Sequence, residues 1–347
     1  MNTIFALRLK QARLMRGLSM DELCSRIGIS KQSISKYENS KMMPDSTILL
    51  ALSNILNVKI DYFFRPINVK VEQIEFRKKS KLGQKKISSI KEIIKDKIER
   101  YLEIEEINNE TTSFKFEYKN KVSSKEDIYV ISEKIKGDWK LGEDGINNLI
   151  EILEENQIKV IEIEAPLEFD GLSGYINNEY PIIVLNMNYI NERKRFTALH
   201  ELGHLILNFE SHIEQKEKEK LCDLFANEML ISGDIFKKKI GANRKDISLQ
   251  ELYDIQIQFG ISIDALMYKA KELNIITEGR YKGYYIKKNM YPKFKKDAEE
   301  SRTKAESSNR FQRLVYKALA SELISISKAS VLLDLPIGDI RNNLNLI

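Results

Sequence analysis

The segment Phe196 to Leu207 reads FTALHELGHLIL, and its His-Glu-Leu-Gly-His core restricts the fold more than any other feature of the chain. Two imidazoles separated by four positions reach one metal ion when the segment is an α-helix, because residues four apart share a helix face. Glu201 stands about 100° around that helix from His200, beside the metal rather than on it. There its carboxylate can hold a water molecule and take its proton. A metal such as zinc polarises a carbonyl and lowers the pKa of water toward ~7, so the pattern points to peptide-bond hydrolysis. The chain has only 3 histidines, and two of them fall in this motif. At that composition a chance occurrence is on the order of a few in a thousand.

Two histidines leave a catalytic zinc one protein ligand short. The run EKLCDLFANEML, starting at Glu219, offers carboxylates at helical spacing. Glu219 is the choice for the third ligand. Asp223, four residues later on the same face, is placed to accept the free N–H of a liganding imidazole. On spacing alone Glu214, Glu217 and Glu228 compete with Glu219, and His212 is a rival ligand in the polar connection. Cys222 is close enough in sequence to approach the metal, but among Leu221, Leu224 and Phe225 it reads as a buried structural thiol. His and carboxylate donors suit zinc and also accept manganese or iron.

A chain of 347 residues exceeds what one hydrophobic core organises, so two or three domains are expected. Residues 3 to 65 read as short helices separated by Gly17, Gly28 and Pro44, with Ser19 and Glu22 forming a capping box. A basic run follows, Arg77, Lys78, Lys79, Lys81, Lys85 and Lys86, then Ile87, Ile90, Ile94, Ile98 and Tyr101 at the spacing of an amphipathic helix. From Glu126 to Asn156 the pattern is helical. Strict alternation from Ile161 to Glu164 predicts a half-buried strand, with further strands at Gly171 to Ile176 and Pro181 to Leu185 around an Asn177-Asn178 turn. Helices are expected over Glu192 to Leu207 and Glu217 to Ile231, and the chain from Gly241 reads as mainly helical, with Tyr281 to Ile286 a candidate extended stretch.

The fold class is therefore multidomain and mainly α with an α+β part. The domain reading is 1–67 helix-turn-helix, 68–125 basic linker and amphipathic helix, 126–240 metal domain, and 241–347 a helical regulatory or packing region. Charges are nearly balanced, 56 Lys plus Arg against 51 Asp plus Glu, so the net +5 does not establish a polyanionic partner. The two cysteines are far apart and form no CxxC pair, so they indicate neither a disulfide framework nor a thiolate zinc site. They suit a reducing, cytoplasmic location. No uninterrupted apolar run reaches the roughly 18 residues a membrane span needs.

Residues 19 to 39, SMDELCSRIGISKQSISKYEN, place a helix, a turn at Gly28 and a second helix capped by Ser30. The first residues of such a recognition helix face base edges in double-stranded DNA, which selects Lys31, Gln32 and Ser33, with Lys36 one turn on. A small protein-binding domain with a solvated polar face is the competing reading. Ser248 to Lys271 and, loosely, Ser321 to Leu344 repeat the helix, glycine and helix rhythm. Neither has a basic second helix, and both are read as packing or sensory elements.

With its metal helices, WKLG at Trp139 and the stretch Ile161 to Asn186, the segment from about 126 to 235 resembles the ImmA/IrrE family of zinc metallopeptidases. That resemblance implies a minimal gluzincin-like fold, whose sheet edge can pair with an extended peptide, with His200, His204 and Glu219 as metal ligands and Glu201 catalytic. The second metal helix ends Met229-Leu230-Ile231-Ser232 where the family commonly has Leu-Leu-Met-Pro. Ile4 to Phe64 is similar to the Xre family of helix-turn-helix domains through Arg13, Leu23, Ile34, Tyr37-Glu38-Asn39 and Pro44. It implies an internal Arg13–Glu38 ion pair and phosphate contacts from Asn39 to Lys41. It also implies a homodimer, with the Ile87 to Tyr101 helix as its candidate interface. Met20 replaces a common glutamine and cannot donate to a phosphate.

Together these resemblances imply a transcriptional regulator that also cleaves a protein in a mobile-element or stress response. The expected substrate is a repressor-like regulator, or the chain's own linker near residues 66 to 90. The alternative is a non-catalytic repressor or antitoxin-like regulator whose metal domain senses a signal or binds a partner.

Overall fold

The computed structural model describes residues 2–67, 74–76, 83–110, 114 and 121–344. Arg77, Lys78, Lys79 and Lys81 of the basic run lie outside the described residues. Helices α1 (Asn2–Met15), α2 (Met20–Ile27), α3 (Lys31–Glu38) and α4 (Ser46–Leu56) with a 3₁₀ turn (Ile60–Phe64) form the N-terminal domain. Ser19 and Glu22 close the expected capping box on α2. The Ser19 backbone N–H, and after it Lys85, hold the Glu22 carboxyl down at about 2. Gly28 turns the chain at φ 82, a left-handed conformation that suits a residue without Cβ. Phe5, Leu9, Leu23, Ile34, Leu52 and Phe63 fill the core. Arg13 donates to both Glu38 oxygens at 2.6 and 2.9 Å, the internal pair expected. Met20 packs on this core, which accounts for an apolar residue at the start of α2.

A short strand, β1 (Ile74–Phe76), precedes the long helix α5 (Gln84–Ile107). The apolar stripe expected to support dimerisation is used within the chain. Ile94 and Ile98 are fully buried, and α5 packs against α1. Charged residues on α5 are buried too, because each meets an opposite charge: Arg8 reaches Glu99 at 2.6 Å, and Asp96 is held between Arg65 and Arg100.

The second compact unit runs from Phe114 to Ser308, apart from Ile176–Asn178. Its elements are α6 (Lys125–Asp138), α7 (Leu149–Glu155), β2 (Lys159–Ile163), β3 (Gly171–Ile176), β4 (Tyr180–Asn186), α8 (Asn191–Ile206) and α9 (Gln215–Leu230), then α10 (Gly233–Ile240), α11 (Leu249–Phe259), α12 (Ile263–Glu272), α13 (Glu278–Met290) and α14 (Pro292–Glu299). Strand β4 lies between β3 and β2. β2 runs parallel to β4, with Lys159 opposite Ile182 and Ile163 opposite Asn186. Asn177 and Asn178 both take positive φ, 52 and 56, as a tight turn between β3 and β4 requires. The stretch read as half-buried keeps its alternation, with Ile161 and Ile163 buried and Glu164 exposed, although Glu162 is itself partly covered. Glu162 tolerates this because Lys194 donates to it at 2.9 Å and the Ser308 backbone N–H at 3.2 Å.

Tyr281 to Ile286 is not extended but lies inside α13. Thr277 caps that helix, and the Tyr284 hydroxyl donates to Asp264 on α12 at 2.7 Å, so tertiary contacts set the conformation. The glycine between α11 and α12, Gly260, leads into a packing helix, as its sequence suggests. Ile263, Leu266, Met267 and Ala270 of α12 enter the main core.

The region from 241 onward divides between the two units. Residues 300 to 308 cross the start of α8 without regular structure: Ser301 Oγ and the Arg302 N–H donate to buried Glu192, and the Glu306 N–H donates to Asn191. Beyond them α15 (Arg310–Ala320), α16 (Ile326–Leu333) and α17 (Ile337–Asn343) belong to the first unit. There Leu314, Val315, Leu332 and Ile340 pack around Ile104 of α5.

Candidate functional sites

Helix α8 carries HELGH, and α9 carries the carboxylates. The two helices approach closely at Gly203, where an added Cβ would stand 3.3 Å from Cys222 Sγ and 3.3 Å from Phe225 Cδ1. That contact brings Glu219 to the histidines. His200 Nε2 and His204 Nε2 are 3.1 Å apart, and Glu219 Oε2 lies 3.3 Å from the first and 3.5 Å from the second. An ion bound tetrahedrally, with nitrogen and oxygen donors at roughly 2.0–2.2 Å, holds them about 3.3–3.5 Å apart. The spacing and the donor set therefore fit such an ion.

The competing candidates lie elsewhere. His212 is exposed and pairs with Glu210. Glu217 pairs with Lys220, Glu228 is buried against Lys269 at 2.5 Å, and Glu214 precedes the first turn of α9. Among the described residues, His200, His204 and Glu219 are the group of His, Cys, Asp and Glu whose ligand atoms converge.

The far nitrogens of both imidazoles are occupied. Asp223 Oδ1 lies 2.8 Å from His200 Nδ1, the orienting contact anticipated from its spacing. Cys222, fully buried, sets its Sγ 3.5 Å from His204 Nδ1, on the side away from Glu219. The thiol thus packs against a candidate ligand rather than joining the converging donors. Gln215 donates to the other Glu219 oxygen at 2.7 Å.

Glu201 points to the sheet. The Ser173 hydroxyl donates to its Oε2 at 2.6 Å, a partner that motif reading missed. Strand β3 presents alternate residues to α8: Gly171 beside Thr197 and Glu201, Ser173 on Glu201, and Tyr175, whose hydroxyl donates to the Leu205 carbonyl at 3.3 Å. A period of two in β3 was readable, but which half of it meets the helix is a tertiary fact. At Gly171 a Cβ would come within 2.8 Å of the Val184 carbonyl and 2.7 Å of Thr197, so the strand approaches α8 this closely only without a side chain there.

On the N-terminal domain, Lys31, Gln32, Lys36, Asn39 and Lys41 are exposed along α3 and the turn after it. Lys31 pairs with Asp21 at 2.7 Å in an open setting. The Ser33 hydroxyl is 2.9 Å from that of Ser30 and so belongs to the helix cap. Asn39 caps the other end of α3 by donating to the Ser35 carbonyl at 2.7 Å.

Residues 9–63 match the helix-turn-helix family profile, and residues 153–271 match that of the IrrE N-terminal-like domain. The chain carries both domains. The helix-turn-helix stretch spans the domain built from α1 to α4, and the IrrE N-terminal-like stretch spans α8 and α9 and continues into α12.

Curated relatives from Bacillus subtilis (strain 168) share only part of the chain. The SPbeta prophage-derived uncharacterized HTH-type transcriptional regulator YonR is 39% identical over 62 residues, 18% of this chain and 57% of its own length. The HTH-type transcriptional regulator ImmR is 40% identical over 55 residues, 16% of this chain and 43% of its own. The chain thus spans about half the length of these relatives. No helix among the described residues is long and apolar enough to cross a membrane.

Proposed function

We propose that the chain is a DNA-binding regulator whose IrrE N-terminal-like domain is a zinc-dependent endopeptidase acting on a repressor-like protein or on its own linker. The observation that carries the peptidase reading is the convergence of His200, His204 and Glu219, with Glu201 alongside and held by Ser173. The bound metal would polarise the scissile carbonyl and acidify water. Glu201 takes a proton from the attacking water at its carboxylate and passes it to the leaving amine. Ser173 fixes the rotamer in which that carboxylate faces the substrate, and Asp223 keeps His200 in the tautomer whose Nε2 is free for the metal.

Metal analysis of the full chain should find one zinc per chain in the wild type and none in His204→Ala. Incubation alone and with helix-turn-helix repressors should give fragments only from the metal-loaded wild type. Stoichiometric metal with no cleavage of any of these proteins would favour a non-catalytic metal domain instead.

The exposed face of α3 supports the DNA reading, in which Gln32 reads a base edge, Lys31, Lys36 and Lys41 meet bases or phosphates, and Asn39 marks the turn toward the backbone. Gln32→Ala should weaken specific operator binding by about tenfold or more, with non-specific DNA binding little changed. An electrophoretic mobility assay on the selected operator measures both. Equal loss on both DNAs would assign Gln32 to the phosphate backbone.

A further inference from the structure

Helices α11 to α14 and the residues just before α11 line an open cavity of about 450 Å³ within the second unit, a volume typical of small-molecule sites. Its apolar lining includes Leu252, Met267, Tyr284 and Phe294, and its charged lining residues are Asp246, Arg280 and Lys287. Asp246 is already engaged, since both of its oxygens accept from Arg280. Lys287 has no carboxylate partner among the described residues, and its ammonium lies 4.5 Å from the centre of the Phe294 ring. One carboxylate against two cations leaves the lining net positive.

Gly283 also lines the cavity from the middle of α13. Glycine is the least favourable residue for a helix interior after proline. Here neither backbone nor packing demands it: its φ is not positive, and a Cβ would meet nothing within 4 Å. What the missing side chain provides is open volume facing the pocket.

We propose that this cavity binds a small organic anion with an apolar body, the body seated on Tyr284, Met267 and Leu252 and the anionic group held by Lys287. Nothing in this depends on the metal centre.

The probe is 1-anilinonaphthalene-8-sulfonate titrated into the full chain by fluorescence, beside N-phenyl-1-naphthylamine, which has the same rings without the sulfonate. The sulfonate should bind at one site, with the neutral dye about tenfold weaker or more. Gly283→Leu, which fills the volume and improves the helix, should weaken sulfonate binding about tenfold or more without lowering the thermal midpoint. Lys287→Glu, a change on an exposed side chain, should weaken it about fivefold or more. Decanoate should displace the dye from the wild type. Unchanged affinity in Gly283→Leu or in Lys287→Glu, equal binding of the two dyes, or no displacement overturns the proposal. Should Gly283→Leu not fold, the Lys287→Glu and paired-dye measurements still decide it.

Discussion

Glu201→Gln is expected to retain the metal and lose cleavage by about 10²–10⁴-fold, the range removed when a general base is replaced by a group that cannot take a proton. The substitution preserves size and leaves an oxygen to accept from the Ser173 hydroxyl, so the contact at 2.6 Å need not break. His200, His204 and Glu219 are untouched, and metal content should stay at the wild-type level. The pairing of intact metal with absent turnover separates a base from a ligand. If instead Glu201→Gln cuts at the wild-type rate, Glu201 is not the base. If wild type and Glu201→Gln release the same fragments from the region of residues 66 to 90, a contaminating protease explains them and self-cleavage is excluded. A variant that binds but cannot cut is also the reagent for capturing the protein substrate.

The second large effect falls on stability. Arg195, on the first part of α8, is buried and pairs with Glu306 while donating to the Ile146 and Phe259 carbonyls. Arg195→Ala leaves the mostly buried Glu306 carboxylate with the Leu149 N–H but no countercharge, and takes the donor from two carbonyl oxygens; losing one partner of a buried pair costs about 3–5 kcal/mol. For a unit of this size the thermal midpoint should fall by roughly 10 °C, read by circular dichroism. Arg193→Ala is the internal comparison. Its partner Asp170 and Arg193 itself are both about half exposed, so its loss should cost ~1 kcal/mol or less. Equal effects from the two variants would show that the irregular segment after α14 does not brace the start of the metal helix.

The pairing of His200 and His204 on one helix was legible because it follows from one short-range rule, residues four apart on one helical face. The helix-turn-helix domain was legible for the same reason, since its caps at Ser19 and Ser30 and the turn at Gly28 are local. Glu219 was less secure, because several carboxylates share the approach to α9 and only the packing of that helix against Gly203 distinguishes them. Ser173 was out of reach. A strand's alternation tells which residues share a face but not which face meets a helix separated from it in sequence.

The same division runs through the rest of the chain. HELGH by itself determined that a helix would present two imidazoles and a carboxylate, and the α2–turn–α3 sequence determined its own fold, because both depend on backbone periods a few residues long. Tertiary structure alone decided that Glu219 would converge on the histidines while Glu217 and Glu228 pair with lysines. It alone turned the α5 stripe inward, drew Tyr281 to Ile286 into a helix, and divided the C-terminal region between two cores. Each of those outcomes depends on which surfaces meet across long stretches of sequence, and burial there outweighs the local preferences that a reading of the chain can see.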